Sequence, residues 1–261
     1  MNKKDEIKLV VFDLDGTIYN GNQLVDGALE TIDFFKKNGL RVTYFTNNSS
    51  RSRTQLYEKL KDFSIELNEN DVYSCSYAAK HYIEENKFKN IYILGSQELV
   101  DEVSKAKITV CQDKYRQDID TLLVGMDTEF TYCKLADVYE MIQRNDRLKI
   151  IVCNMDYNFP TENGIKKPGC GAIASVILNT SGRKVDFIIG KPSSFILKLI
   201  SKEENILLKN MLIIGDSYES DIQMAINSNV RSILIDNDGS KHHNITTVNS
   251  IKNIPDLFRK L

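Results

Sequence analysis

Two carboxylates stand two residues apart in the stretch VVFDLDGTIYN, where an apolar run ends in Asp13 and Asp15 and continues into Gly16 and Thr17. Alone, Asp-Gly after a strand is common turn chemistry. Three further apolar runs end in polar groups: Thr46-Asn47-Asn48, Gly190-Lys191-Pro192-Ser193, and Gly215-Asp216 with Asp221 shortly after. Asp13, Asp15 and Asp216 offer hard oxygen ligands suited to Mg²⁺. Crowded together without a cation they would repel, and some would take up protons. Lys191 adds a fixed positive charge, Thr46 a hydroxyl and Asn47 an amide. Cation, lysine and hydroxyl describe a clamp for a phosphoryl group. Within it one aspartate can attack phosphorus, and a carboxyl two residues on can move the proton. Gly16 permits a tight turn beneath the phosphate.

These residues meet only if the elements bring them together. IKLVVFD reads as a buried strand and GALETIDFFKKNG as a helix with Ala28, Leu29, Ile32 and Phe35 on one face, ended by Gly39. RVTYFT is a second strand, and SRTQLYEKLKDF a helix with Ser52 and Gln55 in a capping-box pattern. Toward the other end, VDFIIG, MLIIGD and RSILID read as strands around two helices, the first opened by Pro192. Alternating strands and helices predict a parallel sheet covered on both faces, an α/β fold. Ligands of such sheets sit outside the carboxyl ends of the strands, so the four polar groups can share one crevice. Asp221 has a second reading as a first-turn acid favoured by its helix dipole.

The intervening segment holds four more strand candidates, IYILG, KITVC, DTLLVGM and LKIIVCN, with helical patterns between them. It reads as a second α/β module inserted into the first, giving an outer unit of residues 1–78 and 184–261 around a module of residues 79–183. Asn154 and Asp156 end its last strand, and either face a substrate or start a turn.

The chain has 261 residues, 42% hydrophobic and 27% charged, enough for one large or two modest packed units. A net charge of -2 provides no basic field for nucleic acid. Five cysteines without a C-x-x-C spacing argue for reduced thiols rather than a disulfide framework or zinc site. His81, His242 and His243 match no ligand spacing and read as surface residues. No stretch approaches the roughly 20 apolar residues of a membrane helix. MNKKDEIKLVVF runs from charges straight into a strand, unlike a signal peptide. A cytoplasmic protein that engages neither nucleic acid nor membrane is expected.

The motifs resemble the haloacid dehalogenase (HAD) superfamily, and within it the NagD-like or 4-nitrophenyl phosphatase branch with a type 2 cap. FDLDGT resembles its first motif, YFTNNSS its second, IGKPS its third and IGDSYESDI its fourth; VCNMDYNFP and KPGCGAIAS resemble cap segments. The resemblance implies a Rossmann-like core with an inserted cap and a homodimer formed through the caps. It implies Asp13 as nucleophile and metal ligand, and Asp15 as general acid/base ligating metal through its carbonyl. Thr46 and Asn47 would bind phosphate, Lys191 would hold phosphate and nucleophile, Asp216 would complete the metal ligands, and Asp221 would support the metal's waters. Asp26-Gly27 and the IDNDGSKHHN segment depart from the branch's commoner sequences, which leaves the chemistry intact and the substrate open. The expected function is Mg²⁺-dependent hydrolysis of small phosphorylated metabolites through an aspartyl-phosphate. The competing expectations are phosphotransfer to an acceptor other than water and a non-catalytic phosphometabolite sensor.

Overall fold

The computed structural model describes residues 7–161, 165–236 and 245–260. Six strands form a parallel sheet in the order Thr246–Val248, Arg231–Ile235, Met211–Gly215, Leu9–Asp13, Arg41–Thr46, Val72–Ser74. Leu9–Asp13 is entirely buried, and its side chains alternate between two apolar clusters. Leu9 and Val11 join one, Val10 and Phe12 the other. That two-sided burial explains why the strand reads as an unbroken apolar run. The first strand is also where the strand order reverses: the chain goes next to Arg41–Thr46 on one side and returns later to Met211–Gly215 on the other. Such a switch point opens a crevice at the carboxyl ends, and Asp13 stands there, level with Phe45.

The helix Ala28–Lys37 buries Ala28, Thr31, Ile32 and Phe35, with Leu29 only partly buried. Gly39 leaves it at φ 76°, a conformation glycine adopts without penalty. Ser52 and Gln55 form the expected capping box on Arg53–Asp62.

The second sheet is also parallel, in the order Phe187–Ile188, Lys149–Val152, Thr121–Val124, Asn90–Leu94, Thr109–Cys111. It contains the four expected strands and a fifth. Phe187–Ile188, read from sequence as part of the outer unit, pairs with Ile151 and Val152 instead. By sheet membership the inserted module therefore runs past residue 183. The cause is local: the helix Cys170–Ser181 ends at Gly182, φ 67°, and the chain lies back along Lys149–Val152 before crossing at Gly190. An antiparallel hairpin, Asn158–Pro160 with Lys166–Pro168, is a further element that the sequence pattern did not indicate.

Pro192 does not open a helix. The helix is Phe195–Glu204 with Ser194 as its N-cap. His81 is half-buried, with its ring against Tyr77 and its nitrogens 3.8 Å from Glu84 and 3.6 Å from Glu203, not a free surface residue. His242 and His243 lie outside the described residues. All five cysteines are free thiols, and among the described residues no helix is long and apolar enough to cross a membrane.

Phe35 is fully buried and meets Phe12 and Phe258 edge-on, with ring centroids 5.9 and 5.1 Å apart. Phe35→Ala should therefore destabilise the fold by about 3–5 kcal/mol. Urea denaturation reads this; a loss under about 1 kcal/mol would show that the helix does not depend on this packing.

Candidate active site

Four chain segments deliver their polar ends to one place, and Lys191 lies at its centre, only 5% exposed. Its ammonium donates to Asp13 Oδ1 and to Asp221 Oδ1, the latter at 2.7 Å. Phe45 covers it, with the ring centroid 4.5 Å away. Burial alone would drag the Lys191 ammonium down, but the facing carboxylates of Asp13 and Asp221 outweigh it and hold the pKa above its ordinary value.

Asp13 ends the first strand, 3% exposed, and burial pushes its carboxyl well above the usual range. Lys191 opposes that shift, and the charges of Asp221 and Asp216 reinforce it. Asp216 follows Met211–Gly215. The residue is exposed, yet desolvation of its carboxyl together with the Asp221 charge pushes it up to about 6. One carboxylate oxygen each from Asp13, Asp216 and Asp221 lie within 4.8 Å of one another. An all-oxygen set of this size suits a hard divalent cation, which would relieve the mutual repulsion.

Small residues make the crowding possible. Gly16 adopts φ 94°, and a Cβ there would stand 2.1 Å from Asp216 Oδ2. A Cβ on Gly215 would stand 2.3 Å from Asp221 Oδ2. Thr17, to which the sequence reading gave no role although it belongs to the D-x-D-G-T stretch, is fully buried and links two acids. Its hydroxyl lies 3.5 Å from Asp13 Oδ2 and 3.4 Å from Asp216 Oδ1.

Asp15 turns elsewhere. Its Oδ2 accepts from the Thr46 hydroxyl at 3.2 Å, and Thr46 Oγ1 accepts from Asn48 N at 3.1 Å. The Asp15 carboxylate is thus held by Thr46, half-buried and outside the three-acid group. Asp221, expected behind the metal's waters, touches Lys191 directly, is fully buried and also accepts from Ser217 N at 3.0 Å. Asn47, expected on the phosphate, has its carboxamide bonded to the backbone of Lys191 and to Asp156.

The second sheet turns its own carboxyl ends toward this crevice. Asn154 follows Lys149–Val152, is 4% exposed, and donates to Asn47 O at 2.7 Å. Asp156 accepts from Asn47 Nδ2 at 2.8 Å. Met126 N, beyond Thr121–Val124, donates to Ser49 Oγ at 3.0 Å. Ser49 is a buried tie that the sequence reading missed, since a serine in a polar loop carries no signal of a partner 77 positions away.

Residues 10–109 match the haloacid dehalogenase-like hydrolase family model, and residues 188–258 match a HAD-hydrolase-like model. The chain is 32% identical to an acid sugar phosphatase of Staphylococcus epidermidis, across 95% of this chain and 92% of that one. It is 31% identical to the 5'-nucleotidase YutF of Bacillus subtilis, across 90% of each. The structure of 4-nitrophenylphosphatase from Thermotoga maritima superposes with a TM-score of 0.88 at 23% identity, covering 98% of this chain and 99% of that one. This last likeness speaks for the fold.

Removing the central ammonium leaves buried acids facing one another. Lys191→Ala should lower unfolding stability by about 3–5 kcal/mol in metal-free buffer. Chemical denaturation in the presence of a chelator measures it. Unchanged stability would mean that Lys191 does not neutralise Asp13 and Asp221.

Proposed function

The chain belongs to the haloacid dehalogenase-like hydrolases, and from that premise we propose that it is a Mg²⁺-dependent phosphatase of small phosphate monoesters. The observation that carries the reading is one buried ammonium beside three converging carboxylates at a sheet's switch point. Asp13 and Asp216 would ligate the cation directly together with the Asp15 carbonyl, and Asp221, whose carboxylate converges with theirs, would support it. Bound there, Mg²⁺ supplies the positive charge that keeps Asp13 ionised and draws off charge from the phosphoryl oxygens.

In this reading each residue takes one role. Asp13 Oδ attacks phosphorus, and the bond from phosphorus to the ester oxygen breaks. Asp15 gives its proton to that leaving oxygen, then takes one from the water that attacks the aspartyl-phosphate and releases phosphate. The Thr46 contact fixes the Asp15 carboxylate apart from the buried acids, which suits a group that exchanges protons. Lys191 sits against Asp13 and stabilises the charge that develops on the transferred group.

The module of the second sheet roofs the site and, in this reading, excludes water and selects the leaving group. Sugar phosphates and nucleoside monophosphates, named for the two relatives, are the first substrates to test. Pairing of two copies through that module belongs to the same proposal, since Tyr157 and Ile165 stand there 62% and 63% exposed. A net charge of -2 and free thiols fit a cytoplasmic enzyme of metabolites rather than a binder of nucleic acid or membrane.

A screen of phosphorylated metabolites with Mg²⁺, reading released phosphate, should find turnover that EDTA removes. Failure on every monoester would reject the proposal. Asp13→Asn should abolish turnover with the fold intact by circular dichroism, and retained activity would remove Asp13 as nucleophile. Asp15→Asn should lower kcat by about 10²–10⁴-fold, least for esters with acidic leaving groups such as 4-nitrophenol; an equal loss for all esters would deny Asp15 the proton transfer.

A further inference from the structure

The side chain of Asn47 has no donor left for a ligand. Its Oδ1 accepts from Lys191 N at 2.8 Å, while Nδ2 donates to Lys191 O at 3.3 Å and to Asp156 Oδ2 at 2.8 Å. An amide nitrogen carries two hydrogens, and both are engaged. The Asn47 main-chain carbonyl is taken as well, by Asn154 Nδ2, and Asn154 Oδ1 accepts from Asp156 N at 3.1 Å.

Packing confirms that this is a designed junction in the physical sense of having no slack. Gly190 N donates to Cys153 O at 2.7 Å. A Cβ on Gly190 would stand 2.4 Å from Asn47 Oδ1 and 2.8 Å from Cys153 O. Three segments close on one carboxamide: the exit of Arg41–Thr46, the exit of Lys149–Val152, and the crossing at residues 189–191. The grip on Lys191 is at two points, N–H and carbonyl of the same residue, as a neighbouring strand would hold it. The ammonium of Lys191 reaches Asp13 and Asp221 from that fixed backbone.

We propose that Asn47 is a positioning residue whose carboxamide sets the backbone of Lys191 and, through Asp156, the loop that leaves the second sheet, and that it is not a side-chain ligand of phosphate. Removing it lets the Lys191 backbone shift, and a displacement of about 1 Å at such a site can cost about 10²-fold in rate. Binding of phosphate itself, held by groups other than this amide, is left nearly unchanged. The kinetic side of this proposal rests on the phosphatase reading; the structural side does not.

Asn47→Ala in the full chain tests both. With Mg²⁺ and 4-nitrophenyl phosphate, kcat should fall about 100-fold, while the inhibition constant of inorganic phosphate stays within about threefold, far below a tenfold loss. Amide hydrogen exchange at Lys191 should quicken about tenfold, because its N–H loses its acceptor. Asn47→Asp sets two carboxylates against each other, and adding Asp156→Asn should restore part of the lost kcat. Phosphate affinity that falls in step with kcat/KM would make Asn47 a direct ligand and overturn the proposal. Unchanged kcat, unchanged Lys191 exchange, or no rescue in the exchanged pair would overturn it too. If Asn47→Ala does not fold, Asp156→Ala takes its place, with kcat expected to drop about tenfold at constant phosphate affinity, the worth of one such bond. A wild type that hydrolyses no monoester refutes the phosphatase reading, and the exchange at Lys191 still decides this one.

Discussion

The structure is organised around one ammonium, that of Lys191, almost wholly buried between the carboxylates of Asp13 and Asp221. Such a group is not chosen for stability. The desolvation of buried ions commonly cancels their attraction, and an apolar replacement of similar volume can be as stable. Here the balance is further skewed, because Asp216 adds a third carboxylate to a single lysine. Fully ionised, the cluster carries an excess of negative charge that a divalent cation would neutralise.

The rest of the fold can be understood as what this cluster requires. Acids cannot approach so closely if the backbone beside them carries side chains, and Gly16 and Gly215 leave that space free. A hydroxyl between two acids, Thr17, links them without adding charge. The parallel sheet places Asp13, Thr46 and Asp216 at one edge because their strands end together at the reversal of strand order, while Lys191 arrives from the second sheet. The second sheet turns its own carboxyl ends to face the first. It is tied there by Asn154 to Asn47, by Met126 to Ser49 and by the Cys75 thiol to Cys153 O at 2.8 Å. The apolar cluster that includes Leu9 and Val11 continues into Leu123 and Ile151 of the second sheet, so the two layers share packing beneath the polar junction.

Membership of the hydrolase family and the site geometry answer different questions. The family brings a reaction type. The geometry separates the two acids of the D-x-D pair: Asp13 inside the charge cluster, Asp15 outside it and held by Thr46. One sequence motif thereby contains two identical side chains in different surroundings, and surroundings rather than chemistry of the free side chain set what each carboxylate can do.

Local order was legible in the residues themselves. The buried first strand, the helix face with Ile32 and Phe35, the Ser52–Gln55 cap and the glycine ends of two helices are all written within a few positions of where they act. The acids at the strand end were legible for the same reason, and the recurrence of polar strand ends indicated one crevice. Other features were decided by partners far along the chain. Phe187–Ile188 has the composition of either sheet's strand, and only pairing with Ile151 and Val152 assigns it. Asp221 has the look of a helix-capping acid until Lys191, 30 positions earlier, comes within 2.7 Å. Asn47 carries the same amide whether it meets a ligand or Lys191, 144 positions on, and spacing cannot tell these apart. Short-range periodicity and capping depend on backbone geometry that every chain shares. Which donor meets which acceptor across the crevice depends on the packing of two sheets, and that exists only once the chain has folded.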